Sequence, residues 1–112
     1  MTDTEQNIAV AEACGWEIKP LAENGPLVWW LRDEPKYYGD DPPIDYGTDL
    51  NAMHEAEKVL TVAQRVTYKY QIGVVMSGGS VGRAIPDWWL IHEATAAQRR
   101  EAFLRAIGKW KE

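Results

Sequence analysis

Only one cysteine, Cys14, occurs in the 112 residues. An internal disulfide framework is therefore impossible, and so is a four-cysteine metal site. Such usage fits a reducing cytoplasm. Cys14 itself reads as a small buried filler rather than a nucleophile, because no histidine stands near it in the sequence. Positive charge is also short, with 12 Lys and Arg against 17 Asp and Glu and a formal net charge of −5. A chain without a basic field has no general affinity for nucleic acid or for an anionic membrane, although a local basic pocket for an anion stays open to it. No apolar run reaches the length of about 20 residues that spans a bilayer. Residues 1–6 are polar and acidic, unlike a signal peptide.

Hydrophobic residues make up 46% of the chain, enough to argue against disorder, and the length suits one domain with one core. Tryptophan is over-represented: Trp16, Trp29, Trp30, Trp88, Trp89 and Trp110, beside five tyrosines and one phenylalanine. Neighbouring residues on a strand face opposite ways. Each Trp-Trp pair thus implies a strand covered on both faces or one ring left free for a partner.

Thr2 and Glu5 have the spacing of a capping box, which predicts a helix from there to Cys14, stopped by Gly15. Residues 16–19 alternate and read as a strand ended by Pro20. Glu23-Asn24-Gly25-Pro26 is turn chemistry, and 27–31 is a second, nearly continuous apolar strand, so the two form a hairpin. Residues 32–48 read as a long loop with Asp33, Glu34, Asp40, Asp41 and Asp45, followed by Asp49 at the helix start. Clustered carboxylates suit a hard cation, but no EF-hand spacing is present and the charges read as solvated. Tyr37-Tyr38, flanked by Arg32 and Lys36, offers aromatic rings beside cations. Next comes a helix with Thr48 as N-cap, running to Leu60 with Leu50, Met53, Ala56 and Leu60 on one face. Clean alternation predicts a strand over 65–72, extended to 76 past a bulge at Gly73. Ser77-Gly78-Gly79-Ser80 is a turn without the Lys-Ser/Thr of a phosphate-binding loop, and 86–93 is a fourth strand. Thr95 and Gln98 repeat the capping-box spacing before a last helix with Ala96, Phe103, Leu104 and Ile107 inward, Arg99, Arg100 and Arg105 mostly outward or at an edge, and Gly108 as its stop. The expected fold class is α/β: an α/β/α sandwich of order αββαββα, with a four-stranded, mainly antiparallel sheet and three helices.

Asp45-Tyr46, 49–53 and 55–57, with the later blocks 94–99 and 101–105, resemble the small phage and prophage proteins grouped as the phage ABA sandwich domain family. Trp16, the Trp29-Trp30 strand and the late alternating strand are similar too, so the resemblance covers most of the chain. It implies the sandwich fold and a phage origin, and it carries no reaction and no catalytic residues.

Enzymatic signals are weak. His54-Glu55 lacks the second histidine of H-E-x-x-H, since Lys58 occupies that place. His54 and Glu57 have a spacing that lets them share a metal, with His92-Glu93 reaching them only if the fold brings that strand end close. No cofactor, resident metal or catalytic residue is assigned. The first expectation is a non-enzymatic phage protein in the host cytoplasm that counters host defence by sequestering a nucleotide-derived immune signal in a homo-oligomer. Its candidate contacts are Tyr37, Tyr38, Arg83, Trp88, Arg99 and Arg105. The alternatives are an inhibitor or acidic nucleic-acid mimic that binds a host defence protein through the 33–49 loop, and a metal-dependent hydrolase acting near His54.

Overall fold

The computed structural model describes residues 1–39, 41–76 and 93–111. Helix α1, Asp3–Ala13, starts at the expected capping box: the Glu5 N–H donates to Thr2 Oγ1 and the Thr2 N–H to Glu5 Oε1, both at 3.1 Å. Gly15, at φ +95°, turns the chain out of the helix in the left-handed conformation that a side chain disfavours. Strands β1, Trp16–Pro20, and β2, Leu27–Leu31, then form the expected antiparallel hairpin, with Trp16 opposite Leu31 and Pro20 opposite Leu27. Trp29 and Trp30 divide as alternation requires. Trp29 is fully buried, whereas Trp30 is half-buried, donates its indole N–H to the Lys19 carbonyl at 3.1 Å and carries the Lys19 ammonium over its ring.

The stretch read as a loop over 32–48 contains a third strand, β3, Glu34–Tyr38, antiparallel to β2. Two features hide it. Its hairpin turn is Arg32-Asp33, with φ of 53° and 65° at two non-glycine residues, where Asn-Gly is the usual signal. Pro35 also argues against a strand, but an edge strand tolerates it. Lys36 is the extra residue of a bulge between the pairs Trp30–Pro35 and Trp29–Tyr37.

Helix α2, Leu50–Glu57, is shorter than expected and its N-cap is Asp49, not Thr48: Asp49 Oδ1 accepts the Ala52 N–H at 3.0 Å. The chain then makes three tight turn bonds through Leu60, which is buried. The predicted strand over 65–76 is instead helix α3, Val62–Met76. Thr61 and Gln64 supply the reason, since their side chains and backbone N–H groups exchange hydrogen bonds at 2.9 and 3.2 Å, a third capping box. Alternating apolar residues also satisfy a helix when every second pair is four apart. Tyr68 and Ile72 face inward, and Val66 and Tyr70 face solvent.

Helix α4, Ala96–Ala106, opens on the expected Thr95–Gln98 box, and Gly108, at φ +76°, lies just beyond its end. α4 is the central element and packs on α1, α2 and α3. Phe103 and Leu104 meet Met53, Ala56, Tyr68, Ile72, Val10 and Trp29 in one buried cluster. The class is α/β, and among the described residues the helices pack mainly on one another. α1 is the helix packed most closely on the sheet, through β1, while the others gather round α4. Four helices and a three-stranded sheet of order β1-β2-β3 stand among the described residues. The expected turn 77–80 and nearly all of the strand 86–93 lie outside those residues. No helix among the described residues is long and apolar enough to cross a membrane.

Candidate functional site

A groove of about 700 Å³ opens between the Arg32-Asp33 end of the sheet and α2. That volume lies in the range of small-molecule sites. Trp16 of β1 and Trp30 and Leu31 of β2 line one side; Ala52 and Ala56 of α2 line the other, with Val59 beyond them. Tyr46 and Ile44 enter from the connecting loop, and Cys14 from the end of α1. Tyr37 of β3 contacts Trp16, their ring centroids 5.6 Å apart and tilted by 48°.

The polar rim carries Glu17, Arg32, Asp33 and Glu55. Glu17 pairs with Lys19 at 3.8 Å and Glu55 with Lys58 at 2.9 Å. Arg32 and Asp33 side chains have no hydrogen-bond or ionic partner among the described residues. Deeper in, burial pushes the Tyr46 phenol well above the usual phenol range, with the adjacent Cys14 adding to the effect. Burial likewise pushes the Cys14 thiol up. Both groups therefore hold their protons at neutral pH, and a protonated thiol is a poor nucleophile.

Tyr46 is set in place by a buried polar network. Its backbone N–H donates to Asn7 Oδ1 at 3.0 Å, and the Asn7 amide donates to Asp45 Oδ1 at 3.2 Å. Arg100, only 4% exposed, donates to Gln6 Oε1 and Asn7 Oδ1, both at 2.9 Å, and to Asp3 Oδ1 at 2.6 Å. Arg99 and Arg100, expected mostly outward or at an edge, are instead buried. Both lie on the face of α4 that carries Ala96, Phe103 and Leu104, and each has acceptors waiting there. The hydrogen bond from Asn7, with a smaller pull from Arg100, holds the Asp45 carboxyl below its ordinary range.

A second polar cluster joins the helices. Glu57 Oε1 accepts the Tyr68 hydroxyl at 2.6 Å and the Arg99 guanidinium at 3.1 Å, and Arg99 also donates to the Ala94 carbonyl. His54 Nδ1 lies 3.7 Å from Glu57 Oε2. Among the described residues no group of three or more His, Cys, Asp and Glu is arranged to hold a metal. Glu57 acts there as a tie between α2, α3 and α4.

The residues picked from sequence fall in different places. Tyr37 and Tyr38 lie on the exposed strand β3, and Tyr37 reaches the groove only through Trp16. Arg99 is buried on Glu57. Arg105 pairs with Glu101 at 2.9 Å and sits over the Trp110 ring. Arg83 and Trp88 are outside the described residues. Sequence reasoning passed over Trp16, Trp30, Tyr46 and the Arg32-Asp33 turn as groove residues. The available signal was a two-residue gap between the apolar run 27–31 and the short run that ends in Tyr37-Tyr38. No family model, no curated protein and no solved structure matches the chain.

Proposed function

We propose that the chain is a non-enzymatic binding protein that holds a small planar ligand in the groove between the hairpin and α2. One observation carries this reading: Trp16, Trp30 and Tyr46 line a single groove of about 700 Å³ with a polar rim. Aromatic walls stack a planar molecule without further chemistry. On the resemblance to small phage proteins, the ligand is a nucleotide-derived signal of a host defence, and capture in the host cytoplasm removes it from its receptor.

Native mass spectrometry of protein purified gently from signal-producing cells tests this. The expected result is an added small mass, released intact on denaturation and absent from the Ala52→Trp variant, whose indole fills the groove. A ligand-free mass from such cells, or a mass that Ala52→Trp still retains, overturns it. The same measurement weighs the assembly, which on this reading is a homo-oligomer.

A further inference from the structure

Two charged side chains on the groove rim are paired with lysines, and two are not. Glu17 has Lys19 and Glu55 has Lys58, whereas Arg32 and Asp33 have no side-chain partner among the described residues. They are also the two central residues of the β2–β3 turn, both at positive φ. A two-residue hairpin turn of this type is most comfortable with Asn-Gly, and bulky side chains are strained there. The chain therefore places an unpaired guanidinium and an unpaired carboxylate at the groove mouth, at a cost in backbone strain that a simpler turn would avoid. Charge restricts what they can read. Glu17, Asp33 and Glu55 are matched by Lys19, Arg32 and Lys58, so the rim is close to neutral and offers a phosphate group no net attraction.

We infer that Arg32 and Asp33 form the reading edge of the groove for an uncharged planar heterocycle with a lactam edge of the guanine type. The Asp33 carboxylate accepts from two adjacent N–H groups of such an edge. Arg32 donates to the neighbouring carbonyl oxygen, and the rings of Trp16, Trp30 and Tyr46 provide the stacking surface. An adenine-type edge lacks the paired donors and leaves the carboxylate unsatisfied, which is the kind of mismatch that discriminates strongly. Any phosphates of the ligand lie outside the groove. The inference rests on the proposed binding function and names the part of the ligand that the groove holds.

Titration of tryptophan fluorescence with guanosine, adenosine and guanosine 5′-monophosphate tests it, on the natural chain and on the double variant Arg32→Asn, Asp33→Gly. Guanosine is expected to bind saturably, about tenfold or more tighter than adenosine, and at least as tightly as its monophosphate. The double variant is expected to melt about 5 °C higher, from relief of the turn, and to lose guanosine binding by about tenfold or more. Equal binding of guanosine and adenosine, no guanosine binding, tighter binding of the monophosphate, or full binding by the double variant overturns the inference. The two readings fail separately. A small mass retained by the natural chain, lost in Ala52→Trp and not displaced by guanosine, leaves the binding function standing and removes the guanine edge. Absence of any retained mass removes both.

Discussion

Arg100 shows why a buried cation need not be a binding residue. Its ionic partner Asp3 is 86% exposed, so that pair is screened by water and contributes little by itself. The larger effect comes from the amide oxygens of Gln6 and Asn7, which Arg100 satisfies inside the protein. Arg100→Met leaves Gln6 Oε1 without its donor, at about 1–3 kcal/mol, and takes one of two donors from Asn7 Oδ1, which keeps the Tyr46 N–H. We expect a total loss of about 3 kcal/mol in urea unfolding, whereas Asp3→Asn costs under about 1 kcal/mol. Gly47 gives an independent measure of the same site. A Cβ there would run into the Arg100 guanidinium, which three hydrogen bonds hold in place. Gly47→Ala should lower stability by about 1–3 kcal/mol, seen as a lower urea midpoint with an unchanged slope. Either result in the opposite sense would mean that Arg100 is free to move aside.

At the level of elements, α3 separates two readings of one pattern. In a strand, Val66 and Ile72 share a face and respond alike to truncation. In the helix they part: Val66 is 67% exposed and Ile72 is 1% exposed. Ile72→Ala should cost about 2–5 kcal/mol, while Val66→Ala should be neutral or stabilising by up to about 0.6 kcal/mol through helix propensity. Thr61→Ala should cost about 1 kcal/mol and fray the first turn in amide exchange. Caps were the legible part of this fold. Thr2 with Glu5, Thr95 with Gln98, and the glycines after both helices state their positions in a few adjacent residues. The same spacing at Thr61 and Gln64 marks the start of α3, ahead of a period-2 pattern whose two phases are both four-residue spacings. Burial of Arg99 and Arg100 was legible in principle, since Arg100 is four past Ala96 and three and four before Phe103 and Leu104. Their charge points outward while their spacing points inward. β3 and the groove were not legible by the usual signs, because a turn of two strained, charged residues and a bulged strand with a proline follow no common turn or strand pattern. The aromatic pair Tyr37-Tyr38 is visible in the sequence, but the contact of Tyr37 with Trp16 depends on a register that only the assembled sheet sets.

Across the whole molecule, Tyr46 stands where the loop meets the sheet and Tyr68 stands among the helices, so their ionisation reports on both parts together. Each phenol is raised in the folded state, first by burial. A group whose folded value lies above its unfolded value contributes stability that is complete below the unfolded value and is lost as pH rises through the folded one. The unfolded phenol ionises near 10. The two phenols should therefore contribute a slope near 2.7 kcal/mol per pH unit to the fall in stability above about pH 10, two protons at about 1.4 each. Cys14, also raised by burial, begins the decline near pH 8.5. Asp45 acts in the opposite sense. Its folded value is lowered, first by the bond from Asn7, so its contribution is present above the ordinary carboxylate range and is lost as pH falls below about 4. Urea midpoints measured across pH should thus form a plateau between the carboxylate and thiol ranges. Tyr46→Phe discriminates the cause of the alkaline limb. With one phenol left, the slope above pH 10 should drop by about 1.4 kcal/mol per pH unit. An unchanged slope would mean that Tyr46 ionises as readily in the folded groove as in water, and that the groove is wetter than its aromatic walls imply.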